Sequence, residues 1–315
     1  MTFKTEIGPI PPTVITNTAS SISYTKFTSG GNVTSDGGAA VTARGVIWSL
    51  NPNPTISLPT KTINGVGLGI FNSYLFDLTP NTTYYVVAYA TNSAGTSYGK
   101  IDTIKTRNWV ACPTNTADID GNKYNVVTIG YQCWTQENLK VSKYRNGDVI
   151  PNIVNNETWA SLTMGLRCWY ENDSTTYEEP YGNLYNWYAA TDSRGVCPTG
   201  WHVPTDEEWT TLVDFLGGEG VAGGKMKVTG SVYVEGNVGA TNSSGFTGYP
   251  GGYREVEVRT NIRQFDEINL NGIFWSSDVS QDNNALLLFL RYTSDNVFRG
   301  ASNKGRGYSI RCIRD

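Results

Sequence analysis

From residue 12 to 106, apolar and polar residues alternate in short runs: SISYTKF, VTARGVIWSL, FNSYLFDL, TTYYVVAYATN and YGKIDTIKT. A period of two marks strands with one buried face. Between the runs lie SGGNVTSDGG, NPNP, LTPNT and NSAGT, which are rich in the residues that turns favour. The pattern predicts an all-β sandwich over 12–106, preceded by a lead-in over 1–11. In that lead-in, IGPIPP reads either as a mobile start or as an attachment peptide. A linker is expected over 107–117, and a second domain over 118–315 where Trp becomes frequent. One strong helix is legible there. Thr205 with Glu208 forms a capping box, and Trp209, Leu212, Val213 and Leu216 recur at helical spacing until Gly217 and Gly218 stop the helix. LYNWYAA suggests a second helix around Asn183 to Ala190. The expected fold class is mainly β with an α+β C-terminal domain.

Composition narrows the function. The 315 residues suffice for two cores, and 24 basic against 28 acidic side chains give a net charge of -4. That balance offers no basic footprint for phosphate backbones, so nucleic acid is not an expected partner. No apolar run approaches the ~20 residues that span a bilayer, and MTFKTEIGPIPPTV lacks the apolar core of a secretory signal. A chain without membrane insertion or a classical leader is expected.

Candidate chemistry is sparse. His202 is the single histidine, in GWHVP before the helix cap, with no nucleophile elbow nearby; a structural imidazole is the expected reading, with a general base as the alternative. Asp206, Glu207 and Glu208 belong to the helix start, near the positive end of its dipole. In DIDGN, Asp118, Asp120 and Asn122 imitate the opening of a calcium loop. Gly121 is misplaced for position six and no Glu follows at position twelve, so a turn is expected and no metal. LGGEGVAGG and YPGGY lack the context of a phosphate loop, and no cofactor is expected. Five cysteines, all at or beyond Cys112, allow at most two pairs, or five reduced thiols.

Two resemblances follow from longer strings. GGNVTSDGGAAVTARGVIWS, NPTI and LTPNTTYYVVAYATNSAGTSYG resemble the fibronectin type III-like modules of Bacteroidetes surface proteins, which implies a spacer. In the second part, DIDGNKYNVVTIGYQCWTQENLK, SLTMGLRCWYEND, YGNLYNWYAA, CPTGWHVPTDEEWTTLVDFLGGEGVAGGKMK, SGFTGYPGGYR, FWSS and GYSIRCIRD together resemble the Fibrobacter succinogenes major paralogous domain. This implies a C-type lectin-like fold, related to the formylglycine-generating scaffold. Pairs Cys197–Cys312 and Cys112–Cys133 are expected there, with Cys168 left free. Enzymatic oxidation of the kind that scaffold supports needs two cysteines in one pocket, which the sequence does not offer, so no enzyme is expected. The EPN, QPD and WND strings of calcium-dependent sugar binding are absent.

The C-terminal strands carry the functional expectation. In NNALLLFLRYT, Leu286, Leu288, Leu290 and Tyr292 can face the core, turning Leu287, Phe289 and Arg291 to the other side. Asn296 and Phe298 are expected to point outward, joined by Arg299, Ser302, Asn303 and Lys304 from RGASNKGRG. Packing of Leu287, Phe289 and Phe298 under neighbouring loops is the competing reading. These nine residues form the candidate ligand surface. Phage receptor-binding and bacterial surface proteins diversified by retroelements resemble this region in placing variable residues between a WSS-like string and the last strand. The resulting expectation is a phage virion fibre or decoration protein whose head binds a host cell-surface glycan or protein. Its N-terminus would meet other virion proteins, and its copies would form a homo-oligomer such as a trimer. A secreted Bacteroidetes surface adhesin and a purely structural capsid decoration are the alternatives.

Overall fold

The computed structural model describes residues 8–234, 236–258, 263–281 and 283–315, so positions 1–7 of the expected lead-in lie outside the described residues. The chain divides into two compact units, Met1–Ala111 and Cys112–Asp315. The expected linker 107–117 is thereby split. Residues 115–117 pair as a strand with 123–125, and the Cys112–Cys133 bond ties the start of this segment down, so 112–117 belong to the second unit.

The first unit has strands β1 (Thr13–Thr16), β2 (Phe27–Ser35), β3 (Ala43–Ser49), β4 (Gly69–Leu75), β5 (Thr83–Asn92), β6 (Gly95–Tyr98) and β7 (Asp102–Lys105). They form two antiparallel sheets, β1-β2-β4 and β3-β5-β6, with β7 pairing the start of β5 (residues 83–86) and β6 its end (residues 89–92). Inward residues of both sheets, among them Val33, Phe71, Val46, Val86 and Ala88, make one core. This is a sandwich whose alternation matches the sequence pattern. At the LTPNT corner, Leu78 is buried and the Tyr84 hydroxyl accepts from the Thr79 N–H at 2.9 Å. One expected turn is a strand instead. In SGGNVTSDGG, Gly30 and Gly31 sit mid-strand in β2, and the turn is confined to its end. A Cβ on Gly31 would lie 2.7 Å from the Ala88 Cβ, and one on Gly30 would lie 2.1 Å from the Phe71 carbonyl oxygen. These glycines serve close approach rather than chain reversal.

The second unit continues with β8 (Asn115–Ala117), β9 (Lys123–Ile129), β10 (Gln132–Thr135), β11 (Arg167–Cys168), β12 (Leu184–Tyr185), β13 (Trp201–His202), β14 (Gly251–Arg254), β15 (Phe265–Ile268), β16 (Asn271–Gln281), β17 (Asn284–Arg291), β18 (Val297–Asn303) and β19 (Ile313–Arg314). Its helices are α1 (Asn156–Ser161), α2 (Ser174–Tyr181), α3 (Trp187–Ala190), α4 (Asp206–Phe215) and α5 (Glu219–Met226). The strand order β13-β19-β10-β9-β8 makes one sheet, and β16-β17-β18 makes another. Helix α4 starts at its capping box, with the Thr205 side chain accepting from the Glu208 N–H. The helix expected around 183–190 shrinks to one turn. Leu184 and Tyr185 pair with Cys168 and Arg167 as strand, and Asn186 caps α3 by accepting from the Ala189 N–H at 3.0 Å. Asp118 organises a turn: its carboxylate accepts from the N–H groups of Asp120 and Asn122, both at 3.0 Å, and from the Tyr124 hydroxyl at 2.6 Å.

Sheet β16-β17-β18 is covered on both faces, which explains why LLLFL reads as a run rather than an alternation. Phe274, Leu288, Leu290 and Val297 pack with Trp134, Trp209, Leu212 and Met226. Ile273, Trp275, Ala285 and Leu287 pack with Tyr185, Tyr308 and the two cysteines Cys197 and Cys312. Bonds Cys112–Cys133 and Cys197–Cys312 span 21 and 115 residues, and Cys168 is a buried free thiol. Chain-entropy reasoning ranks the second bond higher, at about 4 kcal/mol or more against about 3 kcal/mol. Joint Cys197→Ser and Cys312→Ser substitution is expected to destabilise the second unit by about that larger amount in denaturant unfolding. The transition of the first unit, which has no cysteine, should stay in place, and an unmoved second transition would contradict the ranking.

Candidate recognition surface

The register of the C-terminal sheet decides where each nominated residue points. Ile273, Phe289 and Phe298 lie directly opposite one another across β16, β17 and β18; Trp275, Leu287 and Gly300 form the next row, and Ala285 and Ser302 the one after. Residues opposite one another share a face. Toward Trp275 this face is sealed, and toward Arg291 it opens.

That gradient corrects part of the expected surface. Leu287 is only 6% exposed and belongs to the core beside Trp275 and Tyr308, while Leu286, expected inward, is half-buried. The strand has two buried faces, so alternation alone could not choose between them. Ser302 is buried, within 2.9 Å of the Tyr308 hydroxyl. Arg299 faces the helix side, donating to the Asp206 carbonyl and the Thr210 Oγ1, both at 2.8 Å, with the Asp206 carboxylate at 2.9 Å. Asn296 also turns that way, its amide 3.1 Å from the Gly220 carbonyl. The Asn303 side chain accepts from the Gly305 N–H at 2.8 Å and shapes the following turn.

Three nominated residues converge. The rings of Phe289 and Phe298 are stacked, with centroids 5.4 Å apart and planes 17° from parallel. The Arg291 guanidinium lies 4.9 Å from the first centroid and 4.4 Å from the second. Both rings are half-buried and Arg291 is exposed, with no ion pair among the described residues. Attraction to the two rings holds the cationic centre in place, and a guanidinium carries five N–H donors that an outside acceptor can use. Lys304 belongs to a different place: its Nζ lies 4.7 Å from the Trp187 ring, and six residues of strand, about 20 Å, separate it from Phe298. Trp187 itself, held by its indole N–H to the Ser276 carbonyl at 3.0 Å, escaped the sequence reading because YGNLYNWYAA looked helical.

His202 lines a cavity of about 310 Å³ with Arg145, Asp192, Trp201, Val203 and Ser277. Both ring nitrogens are engaged. Nδ1 is 2.6 Å from Asp315 and Nε2 is 3.0 Å from both oxygens of Glu208. Cys197, which also lines the cavity, is tied up in its disulfide, and burial pushes the Cys168 thiol up to about 11. Among the described residues no group of three His, Cys, Asp or Glu is placed to hold a metal, and no helix is long and apolar enough to cross a membrane.

The second unit is thus a disulfide-linked α+β domain that leaves one end of a sheet open, carried on a chain whose first unit is a β-sandwich. The chain belongs to the Fibrobacter succinogenes major domain family, whose model matches residues 127–314. Among solved structures it is similar to the sensor domain of the anti-sigma factor RsgI4 of Pseudobacteroides cellulosolvens, at 20% identity and a TM-score of 0.24, over 31% of this chain and 96% of that one. It is also similar to the fibronectin type III domain of the human KIAA0970 protein, at 15% identity and a TM-score of 0.24, over 31% and 75%. A third likeness is the sixth fibronectin type III domain of human fibronectin type III domain containing protein 3, at 20% identity and a TM-score of 0.25, over 34% and 94%. No curated protein matches the chain.

The His202 cluster sets a pH dependence. Burial works against the imidazolium, but Glu208 and Asp315 outweigh it and raise the pKa above 6.5. Burial likewise opposes the Glu208 carboxylate, and His202 and Thr205 reverse the effect, holding it below 4.5. A raised histidine contributes stability that is complete below its unfolded pKa and lost as pH rises through the folded one; a lowered carboxylate contributes above its unfolded pKa and loses it toward acid. The cluster therefore helps most between 4.5 and 6.5. Thermal unfolding against pH should show the second unit weakening on the alkaline side of that window. His202→Gln should flatten that limb, and an unchanged limb would assign the dependence elsewhere.

Proposed function

We propose that this is a non-enzymatic recognition protein in which a fibronectin III-like sandwich carries a C-type lectin-like head, and the Phe289–Phe298–Arg291 platform of that head engages a cell-surface glycan or protein. The observation that carries the reading is the exposed guanidinium, without an ion pair among the described residues, laid over two stacked, half-buried rings at the open end of a sheet. Half-buried aromatics beside an Arg are the composition of binding hot spots. A shallow platform of this size binds weakly, and several copies in a homo-oligomer would supply avidity. Membership of the Fibrobacter succinogenes major domain family is compatible with a surface role. The setting we favour is a phage virion, as fibre or decoration protein, because its C-terminal strands resemble the display region of phage receptor-binding proteins; a bacterial surface adhesin is the competing setting.

Joint Arg291→Ala and Phe298→Ala substitution is expected to weaken attachment to host cells on the order of tenfold or more, with the unfolding midpoint of the second unit shifted little. Undiminished attachment by a folded variant would overturn the recognition reading and favour structural decoration. Capsid or tail genes beside the coding sequence would support the virion setting, and envelope genes the adhesin.

A further inference from the structure

Lys227 follows α5 and is fully buried, although no carboxylate salt-bridges it among the described residues. Its Nζ donates to three backbone carbonyls: Val238 at 2.7 Å, Ser294 at 2.8 Å and Arg291 at 2.9 Å. An ammonium has three N–H donors and no acceptor, so this environment satisfies it fully. Burial pulls its pKa down to about 8 against the attraction of Asp295, which leaves it largely protonated at neutral pH.

One of those carbonyls, that of Ser294, belongs to the connection 292–296 between β17 and β18, and that of Arg291 ends β17 just before it. The same connection rests on α5 at two glycines. The Gly224 N–H donates to the Asp295 carbonyl at 2.8 Å, and a Cβ at Gly223 would stand 2.2 Å from the Asn296 carbonyl oxygen. From the other side, the Val238 N–H donates to the Tyr292 carbonyl at 2.8 Å. A hairpin connection at a sheet edge ordinarily faces water and moves. This one is gripped from beneath, and the grip reaches the backbone of Arg291 itself.

We infer that Lys227 is a positioning residue for the recognition platform: its ammonium clamps the carbonyls of Arg291 and Ser294, and so fixes the backbone from which Arg291 and Phe298 present their side chains. Its part in binding rests on the function proposed above; its part in ordering the connection does not. Carbonyls at three points of two irregular segments need a compact, three-donor cation. A methionine would fill the same volume and take the ammonium's N–H from all three, leaving the Arg291 carbonyl with only the 3.4 Å contact from the Ser294 N–H.

The test is carried out on the full chain. In the wild type, backbone ¹⁵N relaxation should give residues 291–296 order parameters near the ~0.85 of rigid backbone, and values below ~0.6 would overturn the clamp without any variant being made. In Lys227→Met, amide exchange should speed up tenfold or more across 291–298, while Ile273–Trp275 and the first unit keep their protection. A uniform loss through the second unit, or none, would reduce Lys227 to a general stabiliser. Should Lys227→Met fail to fold, Gly223→Ala, which pushes on Asn296 and leaves the ammonium alone, should produce the same local signature, and its absence would count against the idea. Attachment to host cells should fall with Lys227→Met as it does with Arg291→Ala. If the wild type attaches to no cell, the recognition reading fails, while the relaxation and exchange results still decide the clamp.

Discussion

A guanidinium with no carboxylate ion pair among the described residues is buried inside the second unit. Arg311 is fully buried, and it donates to Asn138 Oδ1 at 2.7 Å and to the carbonyls of Thr135 at 2.9 Å, Phe246 at 2.7 Å and Thr247 at 2.6 Å. Burying a charge in this way costs several kcal/mol unless every donor is satisfied. The constraint works in both directions. An irregular domain has many carbonyls outside regular ladders, and each needs a donor when it is buried. Arg254 meets the same need at Ile153, Val154 and Asn156 while lying 4.2 Å from the Trp159 ring, and Lys227 meets it at the β17–β18 connection. Three long cationic side chains thus take over the work that a larger sheet would do with N–H groups.

The sandwich was largely legible because its strands have one wet face, and a period of two survives in the residues. The exception was Gly30–Gly31, where glycine meant close approach to the neighbouring strand at Gly30 and to the opposite sheet at Gly31, while composition alone suggests a turn. The capped helix α4 was legible from Thr205, Glu208 and the spacing of Trp209 and Leu212. Helix α5 was not, since EGVAGGKM has the glycines of a loop; those glycines let the β17–β18 connection lie against the helix.

The candidate surface was legible only in part, for a related reason. Phe289, Phe298 and Arg291 were singled out and do meet, yet Leu287, Ser302, Arg299 and Asn296 are taken up by core, hydroxyl and helix contacts. Period-two reasoning assumes that one face is solvent. In β17 both faces are covered for most of the strand, and what distinguishes exposed from buried is distance along the strand rather than parity.

That geometry limits which positions can vary. Along β17, replacements at residues 285, 287, 288 and 290 disturb packed interiors on one side or the other, whereas residues 289 and 291 end in the open. On β18 residue 298 shares that freedom on the same face, since 297 is core, 299 is committed to α4, and a Cβ at half-buried Gly300 would stand 3.3 Å from the Phe289 ring. A lineage under pressure to change its ligand would therefore have a short alphabet of editable sites, three letters clustered at one end of a sheet. New specificities would have to come from side-chain identity at those sites, because the backbone beneath them is already committed.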